Sequence, residues 1–410
     1  MTISNHQTLT ISRYNRLMIY DTPRLDAADE SVLAEIEGLR GELRFYLREP
    51  RRWFGSLRRA TIARAVQGSN SIEGYHASVE DVAAVMEGEE PLEADEETRQ
   101  AIAGYRDAMT YVLQLAAGPT MPPIDASLLK SLHFMMLNYD LSKNPGQWRP
   151  GGIWVENQAG EIVYAAPDRD GLEDLVTETL EEANGAGGPA MVRAAMAHLN
   201  LALVHPFSDG NGRMARCLQS FVLASDGVVS PEFASIEEYL GRNTPAYYDA
   251  LTEVAQGHWT PERNARPWLR FCLTAHYRQA QTLLRRIRET EALWDSCEQL
   301  ASQHRLPERS VSALCDAARG WRLRRSLYMK TVQSGTGEPV SDQTATRDLA
   351  AMTRAGLLQP VGEKRARHYR ATPELAGAWA RIRTQRPGRA EEDPYAASGS
   401  TQDALPGLAN

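Results

Sequence analysis

The sequence predicts a mostly α-helical protein: a helical bundle interrupted by one β-hairpin, then a small α+β module and a tail. Three observations carry this. Apolar residues recur at helical spacing along most of the chain, beginning with Val32, Ile36, Leu39, Leu43 and Leu47. Residues 144–167 alone change texture, with Gly and Pro around two β-like runs, GIWV and EIVY. The charge is also uneven. The 410 residues carry a net charge of −8, yet residues 301–371 hold thirteen Lys/Arg against six Asp/Glu, so a +7 module sits on a −15 body.

Composition bounds the rest. With 42% hydrophobic and 24% charged residues, the chain can bury a real core. No run approaches the roughly 20 apolar residues that span a bilayer, so no membrane partner is expected. The N-terminus has no secretory pattern. Cys217, Cys272, Cys297 and Cys315 lie far apart, which fits a reducing cytoplasm better than a zinc cluster or disulfide framework.

Element by element, 1–25 is read as an arm and 27–67 as helix, with a second run N-capped by Ser56. That run ends at SNSIEG, Ser69–Gly74, where Gly74 is a good C-terminal glycine. A short helix follows Ser78, then an acidic run from Glu87 to Glu97 that reads as a solvated face. Helices are expected over 98–117, 125–138, 171–183, 190–204, 217–225, 236–256 and 265–297. His198, on the apolar helix, reads as a packed core histidine. The domain reading is 1–100 N-terminal region, 101–257 core with a hairpin at 148–167, 258–303 helical connector, 304–371 basic module and 372–410 disordered tail.

The densest chemistry is HPFSDGNGRMAR, His205–Arg216. Gly210 and Gly212 around Asn211 allow successive N–H groups to face one concavity at a helix N-terminus, where the dipole favours an anion. Arg213 and Arg216, three apart, share a helix face and add two guanidinium groups, which makes a polyphosphate site. Asp209 is placed to hold Mg²⁺ against phosphate oxygens. His205 is the group with a pKa suited to a general base. Phe207 is read as pointing inward to anchor the loop. The loop is not a Walker sequence.

This segment resembles the signature of Fic-domain proteins, HxFx(D/E)GNGRxxR, at every specified position. The resemblance implies transfer of AMP from ATP to a Tyr, Thr or Ser hydroxyl of a target protein or of the chain itself, with pyrophosphate leaving. It implies that His205 deprotonates the hydroxyl and that Asp209 holds Mg²⁺. Gly210, Asn211 and Gly212 would bind the α- and β-phosphates, and Arg213 and Arg216 the β- and γ-phosphates. The hairpin resembles the Fic flap, with Ile153, Trp154 and Val155 as the strand that docks the target. The segment SIEEYLGRNTPAYYDAL resembles the helix lining the nucleoside pocket, with Asn243 and Tyr247 toward adenine. Ser69, Glu73 and Gly74 match the family's (S/T)xxxE(G/N) inhibitory motif, which implies that Glu73 pairs with Arg216. A carboxylate at a helix C-terminus is unfavourable for the dipole, so Glu73 needs another partner in any case.

The 304–371 module reads as helix, helix, helix, strand, charged turn and strand, an order that resembles a winged helix-turn-helix. Gln343, Thr344, Thr346 and Arg347 would face a DNA groove, and Lys364, Arg365 and Arg367 on the wing would take phosphates. A protein partner for this module is the alternative. Three further readings stay open: a nucleotide-sensing transcriptional regulator, a Fic transferase using another donor, and removal of AMP from the target. The target protein and pairing into a homodimer are also left open.

Overall fold

Two apolar cores organise the chain, and three helices contribute to both. The structure is a computed structural model; it describes residues 19–48, 51–91, 93–156, 159–225, 227, 230–363, 367–386 and 393–396, without the side chains of 334–336. The N-terminal part comprises α1 (Ala27–Leu47), α2 (Phe54–Ile72), α3 (Val79–Met86), α4 (Glu96–Ala116) and α5 (Ala126–Leu137). A hairpin, β1 (Trp154–Glu156) and β2 (Ile162–Ala165), is followed by α6 (Leu172–Asn184), α7 (Ala190–Val204) and α8 (Asn211–Ser225). Then come α9 (Pro231–Ala234), α10 (Glu237–Arg242), α11 (Thr244–Ala255) and α12 (Arg266–Gln303). The C-terminal module holds α13 (Val311–Ala318), α14 (Arg325–Thr336), α15 (Asp342–Arg354), β3 (Leu358–Val361), β4 (His368–Ala371) and α16 (Pro373–Thr384).

Local sequence explains most boundaries. Asp26, Ser78, Asp95, Asp125 and Ser341 each cap a helix with a side-chain oxygen that accepts a backbone N–H of the first turn. Ser56 does not do so. α2 begins two residues earlier, and the buried Ser56 hydroxyl donates to Asp316 Oδ1 at 2.8 Å, across 260 positions.

The larger core is built on the helical pair α7 and α8, with α4, α5, α6 and α11 around it. The second core joins α13–α16 to the C-terminal half of α12. Helix α12, at 38 residues about 57 Å long, gives Trp268, Leu269, Cys272 and Leu273 to the first core and Leu283, Ile287, Leu293 and Cys297 to the second. It is therefore a beam through both cores and not a connector. Helix α2 is shared in the same way: Leu57 lies in the second core, and Ala63, Val66 and Ile72 lie in the first.

In the module, β3 and β4 pair antiparallel, and an isolated antiparallel bridge between Leu323 and Tyr369 adds a third strand position. This is the element order expected from the sequence. Two expectations are corrected. The stretch read as a disordered tail begins with α16, whose Leu375 and Ala378 are buried in the second core, and Tyr395 packs against Arg270. The acidic run is not simply a solvated face. Glu89 pairs with Arg324 at 2.9 Å and Glu87 with Lys330 at 3.7 Å, so its first acids are spent on the basic module. The four cysteines are buried and free. Among the described residues, no helix is long and apolar enough to cross a membrane.

Candidate active site

The loop between α7 and α8 is held by its own side chains. Asn211 Oδ1 accepts the Phe207 N–H at 2.9 Å, and Asn211 Nδ2 donates to the Phe207 carbonyl at 2.8 Å. The Asn211 side chain therefore shapes the loop, and only its backbone remains for an anion. Gly210 adopts φ +76°, and a Cβ there would press Leu137 Cδ1 at 2.9 Å, so both torsion and space require glycine. Phe207 is fully buried and stacks on His133 with centroids 3.7 Å apart. The Gly146 N–H donates to His133 Nδ1 at 2.8 Å, which leaves Nε2–H to donate to the Asp209 carbonyl at 3.0 Å. Burial lowers His133 to a pKa of about 4, so this strut stays neutral. Sequence reasoning passed over His133, because an isolated histidine on an amphipathic helix carries no local signal.

His205 ends α7 in the left-handed region, φ 53°. Its Nδ1 lies 3.1 Å from the Ala202 carbonyl, so Nδ1 carries the proton and the lone pair is on Nε2. Burial lowers its pKa, with the Ala202 hydrogen bond, Glu73 and Asp209 acting the other way, and the ring is a neutral base at pH 7. Burial pushes the Asp209 carboxyl up, but Lys143, 3.0 Å away, and Arg213 outweigh it and hold it ionised. Lys143 is a second group the motif did not contain.

Arg149 was also missed. It is 1% exposed and sits under the hairpin. Its Nε donates to the His205 carbonyl at 3.0 Å, Nη2 to the Pro167 carbonyl at 2.5 Å and Nη1 to the Gly151 carbonyl. One guanidinium thus ties both arms of the hairpin to the residue that carries the base. The far edge of β2 is engaged at its end, since the Ala165 N–H donates to the Gly257 carbonyl at 2.9 Å. Among the described residues β1 has only β2 as a neighbour. Its Trp154 is 54% exposed, and Ile153 and Val155 are half-buried.

Glu73 and Arg216, 143 positions apart, meet at 2.7 Å. Arg216 Nε also donates to the Ser69 hydroxyl at 2.8 Å, and Nη2 to the Ser69 carbonyl at 2.9 Å. Gly74, φ +86°, turns the chain immediately after Glu73. Burial works against the Arg216 charge, but Glu73 more than offsets it and raises its pKa. A Cβ on Gly212 would overlap Glu73 Oε1, so the carboxylate lies on the first turn of α8 where an anion would bind. What brings α2 this close is a glycine crossing. A Cβ at Gly68 would overlap the Glu237 carbonyl, and one at Gly241 would overlap the Gly68 backbone.

Not every cation here is satisfied. Arg213 Nε and Nη1 and Arg216 Nη1 are buried without a hydrogen-bond acceptor. The nucleoside-side residues are less open than expected. Tyr247 is buried, its hydroxyl donating to His198 Nε2 at 3.1 Å, and Asn243 Nδ2 donates to the Tyr239 carbonyl at 2.8 Å. The exposed aromatic is the next residue, Tyr248. His198 is a core group, as expected, donating from Nδ1 to Gln219 Oε1 at 2.6 Å. On the module, Gln343, Thr346, Arg347 and Arg367 are exposed and Thr344 is half-buried; Lys364 and Arg365 lie outside the described residues.

Residues 123–223, which include the whole loop, match the Fic/DOC family. The chain carries a Fic domain. It is 27% identical over 224 residues to protein adenylyltransferase fic-1 of Caenorhabditis briggsae, covering 53% of this chain and 43% of that protein. The chain thus spans less than half the length of the curated relatives it matches. A solved Fic family protein from Desulfovibrio desulfuricans covers 86% of this chain and 98% of its own, at TM-score 0.54 and 20% identity. Fic-1 of C. elegans covers 64% and 73%, at TM-score 0.52 and 21% identity. These two likenesses establish the Fic fold.

Proposed function

We propose that this protein transfers AMP from ATP to a hydroxyl of a target protein, and that Glu73 holds the reaction down. One observation carries the reading. Buried guanidinium N–H groups of Arg213 and Arg216 lack acceptors beside a helix N-terminus, and the carboxylate already lying there belongs to Glu73. Unsatisfied buried donors cost about 1–3 kcal/mol each, which an anionic ligand would recover.

In this reading the phosphates of ATP lie on the α8 amides, with Arg213 and Arg216 as clamps. Nε2 of His205 takes the proton of the target hydroxyl, whose oxygen attacks the α-phosphorus in line as the bond to pyrophosphate breaks. The β1 edge, with Ile153, Trp154 and Val155, holds the target backbone as an added strand. Asp209 is the carboxylate at the loop. Such a single carboxylate suits Mg²⁺, which takes most of its remaining ligands from phosphates and water, and a bound Mg²⁺ would neutralise phosphate charge. Because Glu73 occupies Arg216, the γ-phosphate lacks its clamp until Glu73 leaves.

The test is incubation with Mg²⁺ and α-labelled ATP, reading label on the protein and on lysate proteins. Glu73→Gly is expected to raise label well above wild type, and His205→Ala to remove it. ATP binding with no label in Glu73→Gly would overturn the proposal.

A further inference from the structure

The acids and bases that the sequence keeps apart meet at the base of the inhibitory turn. Arg322 pairs with Glu80 at 2.7 Å and Asp81 at 2.5 Å. Arg370 reaches Glu80 at 3.1 Å, Arg324 reaches Glu89 at 2.9 Å, and Lys330 reaches Glu87 at 3.7 Å. Ser326 also donates to Glu89. Every acid here lies on α3 or the turn after it, and every base lies on the C-terminal module. Only Gly74–Ser78 separates Glu73 from α3. The acidic α3 segment therefore hangs directly from the brake.

Two of these bases, Arg324 and Lys330, border the face on which a winged helix would meet a duplex. Arg324, Arg325, Lys330 and Arg367 line a groove of about 820 Å³ between α14, α15 and the β3–β4 hairpin, with Glu89 and Asp342 at its acidic side. Gln343, Thr346 and Arg347 stand exposed on the early turns of α15. In a winged helix that second helix enters the major groove while flanking cations take backbone phosphates. Arg324 and Lys330 are 24% and 48% exposed at the side chain, so phosphates can reach them. Arg322, at 5%, stays buried as the pivot of the contact. Carboxylates on the turn after α3 thus stand where phosphates would.

We propose that duplex nucleic acid competes with Glu89 and Glu87, on the turn after α3, for Arg324 and Lys330, and that its binding loosens the Glu73–Arg216 contact. The proposal rests on the reading of Glu73 as a brake. The mechanical link is α2, whose N-terminal part packs in the module's core, whose last turn carries Ser69 and which Glu73 caps at its C-terminus. Linkage makes the effect reciprocal: ATP that displaces Glu73 raises duplex affinity by the factor by which duplex raises ATP affinity.

The experiment uses the full chain and a fluorescent mixed-sequence DNA duplex, with anisotropy read at low salt. The Glu87→Gln/Glu89→Gln double variant is expected to bind roughly five- to tenfold more tightly than wild type, the worth of two half-exposed ion pairs. Arg324→Gln/Lys330→Gln is expected to bind more weakly. Wild-type binding should fall steeply between about 50 and 200 mM salt. Duplex added to the labelling assay is expected to stimulate wild type and to leave Glu73→Gly unchanged. An acid variant that binds no tighter than wild type overturns the competition, and unstimulated wild-type labelling overturns the coupling. Equal stimulation by polyglutamate, whose carboxylates match those of Glu87 and Glu89, overturns nucleic acid as the partner. If Glu73→Gly takes no label at all, the transferase reading is what has failed. The coupling is then decided by whether ATP tightens duplex binding to wild type.

Discussion

The catalytic loop and the inhibitory turn face each other across the first turn of α8, and they are held very differently. The loop at 205–212 is over-determined. Asn211 bonds Phe207 twice, His133 stacks below it, and Arg149 ties the His205 carbonyl to both arms of the hairpin. The turn at 69–74 reaches the site through Ser69, whose hydroxyl and carbonyl accept from Arg216, and through one carboxylate, 24% exposed, on the same fully buried arginine. The machinery is built in advance, and its inhibition hangs on a contact that can be exchanged. The contrast fits preorganised chemistry under a removable stop.

The sharpest way to break the comparison is to loosen the rigid side. Arg149→Met leaves the hairpin carbonyls of Gly151 and Pro167 and the His205 carbonyl without their shared donor. Its kcat, measured in the Glu73→Gly background, is expected to fall roughly 10- to 100-fold with KM for ATP little changed. A KM effect alone would mean that Arg149 positions nucleotide and not the base. On the yielding side, Glu73→Gly removes a partly exposed partner of a buried cation and is expected to cost about 1–3 kcal/mol of stability without ligand. ATP should then raise the melting temperature of this variant by several degrees more than that of wild type. Equal shifts would show that Glu73 does not compete with ATP.

A smaller effect is expected at the glycine crossing. Gly68→Ala places a Cβ against the Glu237 carbonyl, which is backbone and cannot swing away. Helix α2 must move, and labelling is expected to rise a few-fold, less than in Glu73→Gly. The mildest probe is pH. His133, His198 and His276 are buried with pKa values lowered to about 4, 3 and 3. Below pH about 6.5 the unfolded chain takes up protons at these rings that the folded chain refuses. Stability is therefore full above that pH and falls as pH drops toward the lowered values, by about 1 kcal/mol per ring per unit. Urea unfolding at pH 7 and 5.5 measures it. Replacing His133, the ring under the loop, by Gln should reduce the slope.

The region 205–216 was legible because its logic is local. Two glycines, an asparagine that bonds four residues back and arginines three apart act within two turns of chain, where spacing translates directly into geometry. The hairpin and the order of elements in the basic module were legible for the same reason. The partners of Asn211 show the limit, since the motif places this residue at the phosphates and the fold uses its side chain to close the loop.

Apart from Glu73 on Arg216, which the inhibitory motif implied, the contacts between distant segments were not legible. Lys143 on Asp209 and Arg149 under the hairpin each come from a segment outside the motif. The local +7 of the module looked like a surface for an external polyanion. In the fold Arg322, Arg324, Lys330 and Arg370 already hold acids of α3 and the turn after it, 235 to 290 positions away. By itself the sequence determined the helical periodicity, the caps and the anion-binding loop, because these depend on neighbours a few residues apart. Only the tertiary structure decided that α2 crosses α10 glycine to glycine and that acidic and basic runs cancel each other, whereas the pairing of Glu73 with Arg216 was already implied by the motif and is observed. Burial and charge pairing act between whatever surfaces packing brings together, and that partnership has no periodicity along the chain.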